Sequence, residues 1–346
     1  MPGSPVTAPE TRPAPLPADF GERDLIAAIR ARVPAAPAWL RVGIGDDAAV
    51  AVPERGALEI LTTDGLVEGV HFDRRFSSAR DIGWKALAVN LSDVAAMGGT
   101  PRLALLSLAL PPGIAADDLH ALVDGFLALA ADAGVTLAGG NVTRSTGPLM
   151  IDVTVTGFAR ARHVLTRGGG RPGDDLYVSG AIGAAAAGLA FLKGAPGAED
   201  AEDMQPCIRQ YCAPDPRVRL GALLGRNRAA SAAMDLSDGL ADAVRQLAAA
   251  SGAGAEIDAA SLPIPAAARQ WFARAGLDPI LAACAGGDDY ELLFAVPKRA
   301  RGRLRTVIRQ ARGVAVTRIG CLTKEPQTAL LRNGAAEPLP PGFVHF

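Results

Sequence analysis

The sequence WKALAVNLSDVAAMGGT, residues 84–100, sets the organisation of this 346-residue chain. Its apolar side chains recur every three to four residues, which predicts a helix over 84–97 that ends at Gly98-Gly99. Asp93 lies near the end of this helix, where the helix dipole disfavours a carboxylate by about 0.3–1 kcal/mol. Asn90 lies one turn earlier, among small apolar residues. A bound cation would account for a carboxylate in this place.

The composition is typical of a soluble globular protein, with 49% hydrophobic residues, 21% charged residues and a formal net charge of −1. Without a basic excess, nothing indicates that a nucleic acid or an anionic membrane is the main partner. No run of about 18 apolar residues is free of charge, so no membrane-spanning helix is expected. The four cysteines form no CxxC pair. Their spacing argues against a zinc site or a disulfide framework and favours buried, reduced thiols in the cytoplasm.

The chain length predicts two domains, because single hydrophobic cores rarely grow beyond about 250–300 residues. Glycine and proline cluster most densely at 168–173, between two patterned segments. We therefore expect a disordered, Pro- and Ala-rich leader over 1–18, an N-terminal domain over 19–163 and a C-terminal domain over 164–346.

Helical and strand-like patterns alternate along both predicted domains without a strict βαβ order. This mixture favours a layered α+β arrangement within the α/β class over a Rossmann sheet. Helices are predicted at 19–32 (capped by Asp19), 84–97, 117–133, 184–192 and 240–250. Strands are predicted at 41–44, 58–62, 103–110, 149–158, 175–179, 292–296 and 313–319 and in the run before Asp235, with an acidic loop at 194–206.

Acidic side chains next to Gly, Ser or Thr recur at the ends of the predicted elements. Each alone is better explained by a turn, a helix cap or a solvated surface than by a site. If they converge, a cation must offset their repulsion, and oxygen ligands without His or Cys indicate Mg²⁺. Because Mg²⁺ is commonly shared with substrate phosphates, this pattern favours nucleotide-dependent phosphoryl transfer. The segments are Asp46-Asp47, Thr62-Thr63-Asp64-Gly65, Asp93, 235–239 and 286–289.

Other motifs are less informative. No segment fits an EF-hand, a P-loop or a Gly-x-Ser-x-Gly nucleophile. His71 follows an acidic loop and is as compatible with a structural role as with a site. Arg144 and Arg167 are the basic residues best placed for phosphates, with surface solvation as the alternative for each.

Taken in order, these motifs resemble the thiamine-monophosphate kinases, of the superfamily that includes aminoimidazole ribonucleotide synthetase. The resemblance is carried by residues 43–49, 62–72, 84–100, 137–144, 235–239 and 286–292. It implies a two-domain fold like that of aminoimidazole ribonucleotide synthetase, with N-terminal domains that pair in a homodimer. It also implies transfer of the γ-phosphoryl group of ATP to thiamine monophosphate, assisted by several Mg²⁺ ions.

The resemblance further implies roles for residues at the matching positions, with Asp238 and Arg167 acting in catalysis. Metal ligands or their supports would be Asp47, Thr62, Thr63, Asp64, Asp93, Asn141, Asp235 and Asp238. Contacts to ATP would come from Gly140, Asn141, Arg167 and Ser237. Contacts to thiamine monophosphate would come from His71, Asp288 and Phe343.

Two positions depart from the resembled pattern. Asn141 stands where the family often has Asp, which removes one negative charge and implies a weaker or differently held Mg²⁺. Asp288 stands where relatives carry Glu, which is longer by one methylene. An aminoimidazole ribonucleotide synthetase-type ligase and a non-catalytic metal- or nucleotide-binding protein are the alternative readings of the same motifs.

Overall fold

The computed structural model describes residues 22–194 and 201–342. The expected leader over 1–18 and the expected cap Asp19 lie outside these ranges. The described chain begins with helix α1 (Glu22–Arg32) and a two-stranded ribbon of β1 (Leu40–Val42) and β2 (Val50–Ala51). No helix within the described ranges is long and apolar enough to cross a membrane.

The N-terminal half is built on a four-stranded sheet with two helices on one face. Its elements are β3 (Leu58–Val67), α2 (Ala79–Ala96), β4 (Thr100–Leu110), α3 (Ala116–Ala133), β5 (Thr136–Arg144) and β6 (Met150–Ala159). The strand order is β3-β6-β4-β5, and only β4 and β5 pair in parallel. Because side chains alternate along a strand, Thr62 and Asp64 share the helix-covered face of β3 with Ile60 and Leu66.

The C-terminal half is built on a seven-stranded sheet in the order β13-β12-β9-β11-β7-β10-β8, in which only the β12–β9 pair is parallel. These strands are β7 (Asp175–Ser179), β8 (Ala232–Asp235), β9 (Gly254–Asp258), β10 (Leu292–Val296), β11 (Val316–Thr323), β12 (Thr328–Arg332) and β13 (Ala335–Pro338). The helices are α4 (Ala184–Leu192), α5 (Ala201–Cys212), α6 (Val218–Arg226), α7 (Leu240–Ala250), α8 (Ala266–Arg274), α9 (Pro279–Ala285) and α10 (Arg301–Ala311).

Both faces of this second sheet are covered, as the alternation along β10 demonstrates. Leu293 and Ala295 pack into one core with α4, α7, α8 and α9, whereas Phe294 packs into another core with α6 and α10. The end of α2 enters the second of these cores through Ala95 and Ala96. Helix α2 is therefore shared by the two halves of the chain, which explains why it is buried nearly all round.

Glycines allow α2 to lie unusually close to its neighbours. A Cβ at Gly83 would lie 1.8 Å from the Leu122 carbonyl oxygen of α3. A Cβ at Gly125 of α3 would lie 1.9 Å from the Arg80 carbonyl oxygen. Backbone therefore packs directly on backbone between these helices, and the position of α2 is fixed.

The mixed, layered fold class is confirmed, but several predicted bounds were wrong. Helix α2 begins at Ala79, not at 84, because Ser78 caps it by accepting a hydrogen bond from the Asp81 amide. The acidic loop predicted over 194–206 overlaps α5, which contains Pro206. Strand β3 extends beyond 62 to Val67. Three of the four free cysteines are buried as expected, whereas Cys321 is only half-buried.

We predict that Gly83→Ala lowers the free energy of unfolding by about 1–3 kcal/mol, because the new methyl group must push α2 and α3 apart. Gly302→Ala in α10 is the matched control, since its Cβ would meet no atom within 4 Å. It should stabilise the protein by up to about 1 kcal/mol through helix propensity. Urea unfolding measures both. Equal stability of the two variants would contradict the close packing.

Candidate active site

A cavity of about 610 Å³ lies between the two halves of the chain. The N-terminal half contributes β3, the loop after it and α2, and the C-terminal half contributes α4, α5 and the loops after β8 and α9. The predicted site residues that line it are Asp64, His71, Asp93, Asp235, Ser237, Asp238 and Asp288. Residues remote in sequence are therefore brought to one place.

Hydrogen bonds fix the carboxylates at the deep end of this cavity. The Ser92 hydroxyl of α2 donates to Asp235 Oδ2 at 2.8 Å, and both groups are buried. The Thr62 hydroxyl of β3 donates to Asp93 Oδ2 at 2.5 Å. Successive residues of α2 thus contact the end of β8 and the middle of β3. The helix sets the spacing of carboxylates that belong to different halves.

The carboxylates resist ionisation in this arrangement. Burial, followed by the charge of Asp93, raises the pKa of Asp235 to about 7. Burial and neighbouring carboxylates raise the pKa of Asp64 to about 6. Burial also raises the pKa of Asp93, against the opposing effects of Thr62 and Arg167. Their charged forms are therefore poorly stabilised by the protein alone, and a cation would relieve the repulsion.

The donor set fits a hard cation that is shared with a ligand. Within 22–194 and 201–342, no three His, Cys, Asp or Glu side chains lie close enough to hold an ion by themselves. A small divalent cation often takes only one or two protein carboxylates and completes its shell with water and phosphate oxygens. Asp64, Asp93, Asp235 and Asp238 can supply such partial shells around a bound phosphate.

A second polar row lies on the other face of the four-stranded sheet. Thr63 points to this face, where its hydroxyl lies 3.1 Å from that of Thr154 and 3.4 Å from Asp152 Oδ1. In the sheet register, Asp152 pairs with Ser107, which pairs with Asn141. Sequence reasoning missed Asp152, although the exposed acid in an alternating strand was a usable signal. Its charge adds to that of Asp93 in raising the pKa of Asp64.

The structure does not bring every predicted ligand to the cavity. Asp47 is exposed in the segment between β1 and β2, where its amide donates to Asp46 Oδ1 at 2.9 Å. Neither residue lines the cavity. Gly140 and Asn141 lie on β5 and do not line the cavity. Gly140 is required there, because it has φ +153° and a Cβ would lie 1.8 Å from the Leu106 carbonyl oxygen.

Arg167 is exposed and reaches the acidic region by its charge, not by a direct hydrogen bond. Its Nη1 atom donates to Gln246 Oε1 at 2.5 Å. Its positive charge opposes the rise in pKa of both Asp93 and Asp235. Arg167 is thus placed to attract anionic groups that enter beside the carboxylates.

Lys85 is the central charged residue at the other end of the cavity, and the sequence did not predict it as a site residue. Its side chain is only 2% exposed. The ammonium group lies 3.1 Å from both Asp288 Oδ2 and the His71 carbonyl oxygen, and 3.9 Å from the centre of the Tyr211 ring. The Tyr290 hydroxyl donates to the other oxygen of Asp288 at 3.1 Å. A lysine in an otherwise apolar helix was the signal that could have revealed this group.

The loop that carries Asp288 is anchored beneath the cavity. The next residue, Asp289, is buried and accepts hydrogen bonds from the Gly183 and Ala185 amides at the start of α4, at 2.6 and 3.0 Å. Burial nevertheless raises its pKa to about 8. Glu291 accepts a hydrogen bond from Ser179 at 2.5 Å and pairs with Arg217. The positive φ of +67° at Asp288 turns this residue between the anchors.

His71 lines the same end, where its Nδ1 atom accepts a hydrogen bond from the Val67 amide at 3.0 Å. Phe343 lies outside the described residues, and Gly342 before it lines the cavity. The cavity thus has an acidic end and an end that combines a paired cation, an aromatic ring and apolar groups.

Comparison with known proteins gives consistent matches along the chain. The family model for AIR synthase related protein, N-terminal domain, matches residues 45–159, and the model for the C-terminal domain matches 171–332. The chain is 38% identical to the thiamine-monophosphate kinase of Escherichia coli (strain K12) over 340 residues, covering 94% of this chain and 98% of that protein. It is 36% identical to that of Bacillus subtilis, covering 73% and 80%.

Solved structures also match this chain over most of its length. Thiamine-monophosphate kinase from Stenotrophomonas maltophilia has a TM-score of 0.79 and 38% identity, covering 92% of this chain and 98% of that chain. AaThiL complexed with AMPPCP and TMP has a TM-score of 0.74 and 31% identity, covering 95% and 98%. Escherichia coli HypE, a hydrogenase maturation protein, shares the fold at 22% identity with a TM-score of 0.71, covering 92% and 96%.

We predict that removing the charge of Asp288 lowers the free energy of unfolding more than removing that of its partner Lys85. Asp288→Asn should lower the free energy of unfolding by about 1–3 kcal/mol, because it leaves a buried ammonium without its counter-charge. Asn is the suitable replacement, since it tolerates the positive φ at this position. Lys85→Met should cost less, because Asp288 is 31% exposed and stays hydrated. Urea unfolding of both variants tests this, and a larger loss for Lys85→Met would refute it.

Proposed function

The chain belongs to the thiamine-monophosphate kinases of the AIR synthase related family, and we propose that it transfers the γ-phosphoryl group of ATP to thiamine monophosphate. The products are thiamine diphosphate and ADP. The observation that carries this proposal is the meeting of Asp64, Asp93 and Asp235 from both halves in one ligand-sized cavity. AaThiL, which holds AMPPCP and TMP, supports both substrates.

The chemistry requires little from acid–base groups. The acceptor is a phosphate monoester whose second pKa is near 6, so it is already a nucleophilic dianion at neutral pH. The difficulty is to bring two polyanions together in line, which depends on positioning and on electrostatic stabilisation. An active site of carboxylates with Arg167 nearby suits this reaction, which needs no general base.

We propose Mg²⁺ as the cation at the acidic end. Asp64, Asp93, Asp235 and Asp238 would hold it, with Thr62, Thr63, Asn141 and Asp47 as the further positions suggested by the family motifs. When bound, Mg²⁺ supplies positive charge that offsets repulsion between the two phosphate groups. The chain itself orients the ligands, because Ser92 fixes Asp235 and Thr62 fixes Asp93.

The two substrates would enter from different sides of the carboxylates. ATP would contact Gly140, Asn141, Arg167 and Ser237, with Arg167 and Asp238 acting on the transferred group. Thiamine monophosphate would occupy the end with His71, Asp288 and Phe343. The cationic thiazolium ring suits that end, because Asp288 carries negative charge there, and the family motifs imply an aromatic contact from Phe343. Lys85 and Tyr290 hold Asp288 in place there.

We predict that the purified protein forms thiamine diphosphate and ADP from thiamine monophosphate and ATP only with Mg²⁺ present, as measured by chromatography. Asp93→Asn should lower turnover by at least about 100-fold, because it removes charge at the point where both halves meet. Asp132→Asn, an exposed acid on α3, is the matched control and should behave as wild type.

Two outcomes would overturn this function. Near-wild-type turnover by Asp93→Asn would mean that the acidic cluster is not the metal site. No thiamine diphosphate, together with turnover of formylglycinamidine ribonucleotide, would favour an aminoimidazole ribonucleotide synthetase-type enzyme. Circular dichroism of Asp93→Asn separates a loss of chemistry from a loss of fold.

We also propose a cytoplasmic homodimer with domains at 19–163 and 164–346. The division is supported by sheets whose strands come from 58–159 and 175–338. The cytoplasm is supported by free cysteines. Pairing of N-terminal domains is supported by apolar side chains on the helix-free face of the first sheet, where Leu61 is 68%, Met150 46% and Leu105 36% exposed.

Leu61→Lys should convert the dimer to a monomer in multi-angle light scattering, because a charge would be placed in the centre of the paired apolar face. Leu277→Lys changes an exposed leucine outside that sheet, 53% exposed, and should leave the mass unchanged. A wild-type monomer, or a Leu61→Lys dimer, would exclude pairing through this face.

A further inference from the structure

A second cavity, of about 490 Å³, lies at the opposite end of the four-stranded sheet from the catalytic cavity. The two cavities share no lining residue. Phe158 lines the second cavity, whereas Asp152 lies near the catalytic carboxylates, on the other face of the sheet, where its charge raises the pKa of Asp64. The path from 152 to 158 along β6 covers about 20 Å, at about 3.3 Å per residue. The second cavity is therefore a separate place on the molecule.

The charged groups at this cavity are almost all basic. Arg55 comes from the loop before β3, Arg160 and Arg162 from the turn after β6, and Arg226 from the end of α6. Glu54 is the acidic residue among the lining groups. Among the residues that the structure describes, none of these four arginines forms a salt bridge. We call these arginines, with His163, the basic pocket.

The protonation of His163 is sensitive to this positive charge. Its Nε2 atom accepts a hydrogen bond from Arg162 Nε at 3.3 Å, so the imidazole is neutral in this arrangement. Burial, followed by the charges of Arg162, Arg160 and Arg226, lowers the pKa of His163 below its ordinary value. The formal net charge of the whole chain is only −1, so this concentration of positive charge is local.

The backbone that carries the basic pocket is tightly held. A Cβ at Gly98 would lie 2.9 Å from the His163 carbonyl oxygen, and one at Gly225 only 2.3 Å from it. The Leu165 amide donates to the Met97 carbonyl oxygen at 3.0 Å. The turn with Arg160 and Arg162 is thus seated between the ends of α2 and α6. The arginines converge from a fixed frame, which lowers the entropy lost on binding.

Helix electrostatics account for only part of this arrangement. Arg226 lies in the last turn of α6, where the helix dipole favours a cation. This reason does not apply to Arg55, Arg160 or Arg162, which approach from a loop and a turn.

We propose that the basic pocket binds a small phosphate-bearing anion, of the size of a diphosphate or a nucleotide. Guanidinium groups bind phosphate through paired hydrogen bonds, and the volume lies in the range of small-ligand sites.

The test is isothermal titration calorimetry of the full chain with inorganic pyrophosphate, in EDTA and at constant ionic strength. Without divalent cations, the acidic catalytic cavity repels this probe. Arg160→Ala/Arg162→Ala should weaken binding by at least about tenfold, since two charge-assisted contacts are lost. Arg299→Ala/Arg305→Ala removes the same charge from exposed positions outside the pocket and should change affinity by less than twofold.

His163 provides a local readout by NMR, with its signals assigned through His163→Gln. Bound pyrophosphate should raise the pKa of this imidazole, because it offsets the neighbouring arginines. ADP in place of pyrophosphate should do the same if the site accepts nucleotides, and inorganic phosphate should bind more weakly than either. Kinase turnover of Arg160→Ala/Arg162→Ala should equal that of wild type, so this proposal and the proposed function fail separately.

Three results would overturn the proposal. The first is no pyrophosphate binding at millimolar concentration. The second is equal affinity in wild type and Arg160→Ala/Arg162→Ala. The third is sulfate binding as tightly as pyrophosphate, which would mean an adventitious ion only.

Discussion

The contact between Ser92 and Asp235 is the constraint on which the site depends. It places a carboxylate that is only 4% exposed beside a second carboxylate, Asp93, across the junction of two sheets. Such a pair is unfavourable by burial and by repulsion, and one hydroxyl donor offsets only part of that cost. The fold tolerates the arrangement because the surrounding apolar packing is extensive. A bound cation would relieve this repulsion.

Helix α2 connects this local contact to the packing of both halves of the chain. Glycine contacts press it against α3, and its last residues belong to the core of the other half. Helix α2 therefore places Lys85 at one end of the catalytic cavity and Asp93 among its carboxylates, and the chain just after the helix reaches the second cavity at Gly98. Regions of opposite charge are held apart by a single rigid element. The acidic region attracts cations, while the basic pocket attracts anions without competing for the same ligand.

Local patterns in the sequence were sufficient for the layered fold. They left the convergence of Asp64, Asp93 and Asp235 open, and the family motifs taken together implied it. Other features depended on long-range packing. The first half of helix α5, 201–206, was read as a loop because of its acids and Pro206. Its apolar residues nevertheless have helical spacing and pack inward, namely Met204, Cys207, Ile208 and Tyr211. Lys85 drew no attention because its partner Asp288 is remote in sequence. The structure leaves Asp47 exposed and away from the cavity, and no local pattern could decide its position.

The proposed reaction requires that acidic groups from both halves bind a nucleotide only through shared cations. The most direct test is calorimetric titration of Arg160→Ala/Arg162→Ala, in which the basic pocket is impaired, with a non-hydrolysable ATP analogue, with Mg²⁺ and again in EDTA. Binding should require Mg²⁺, and no heat should be released in EDTA, because the uncompensated carboxylates repel the triphosphate. Equal affinity in both buffers would contradict the account.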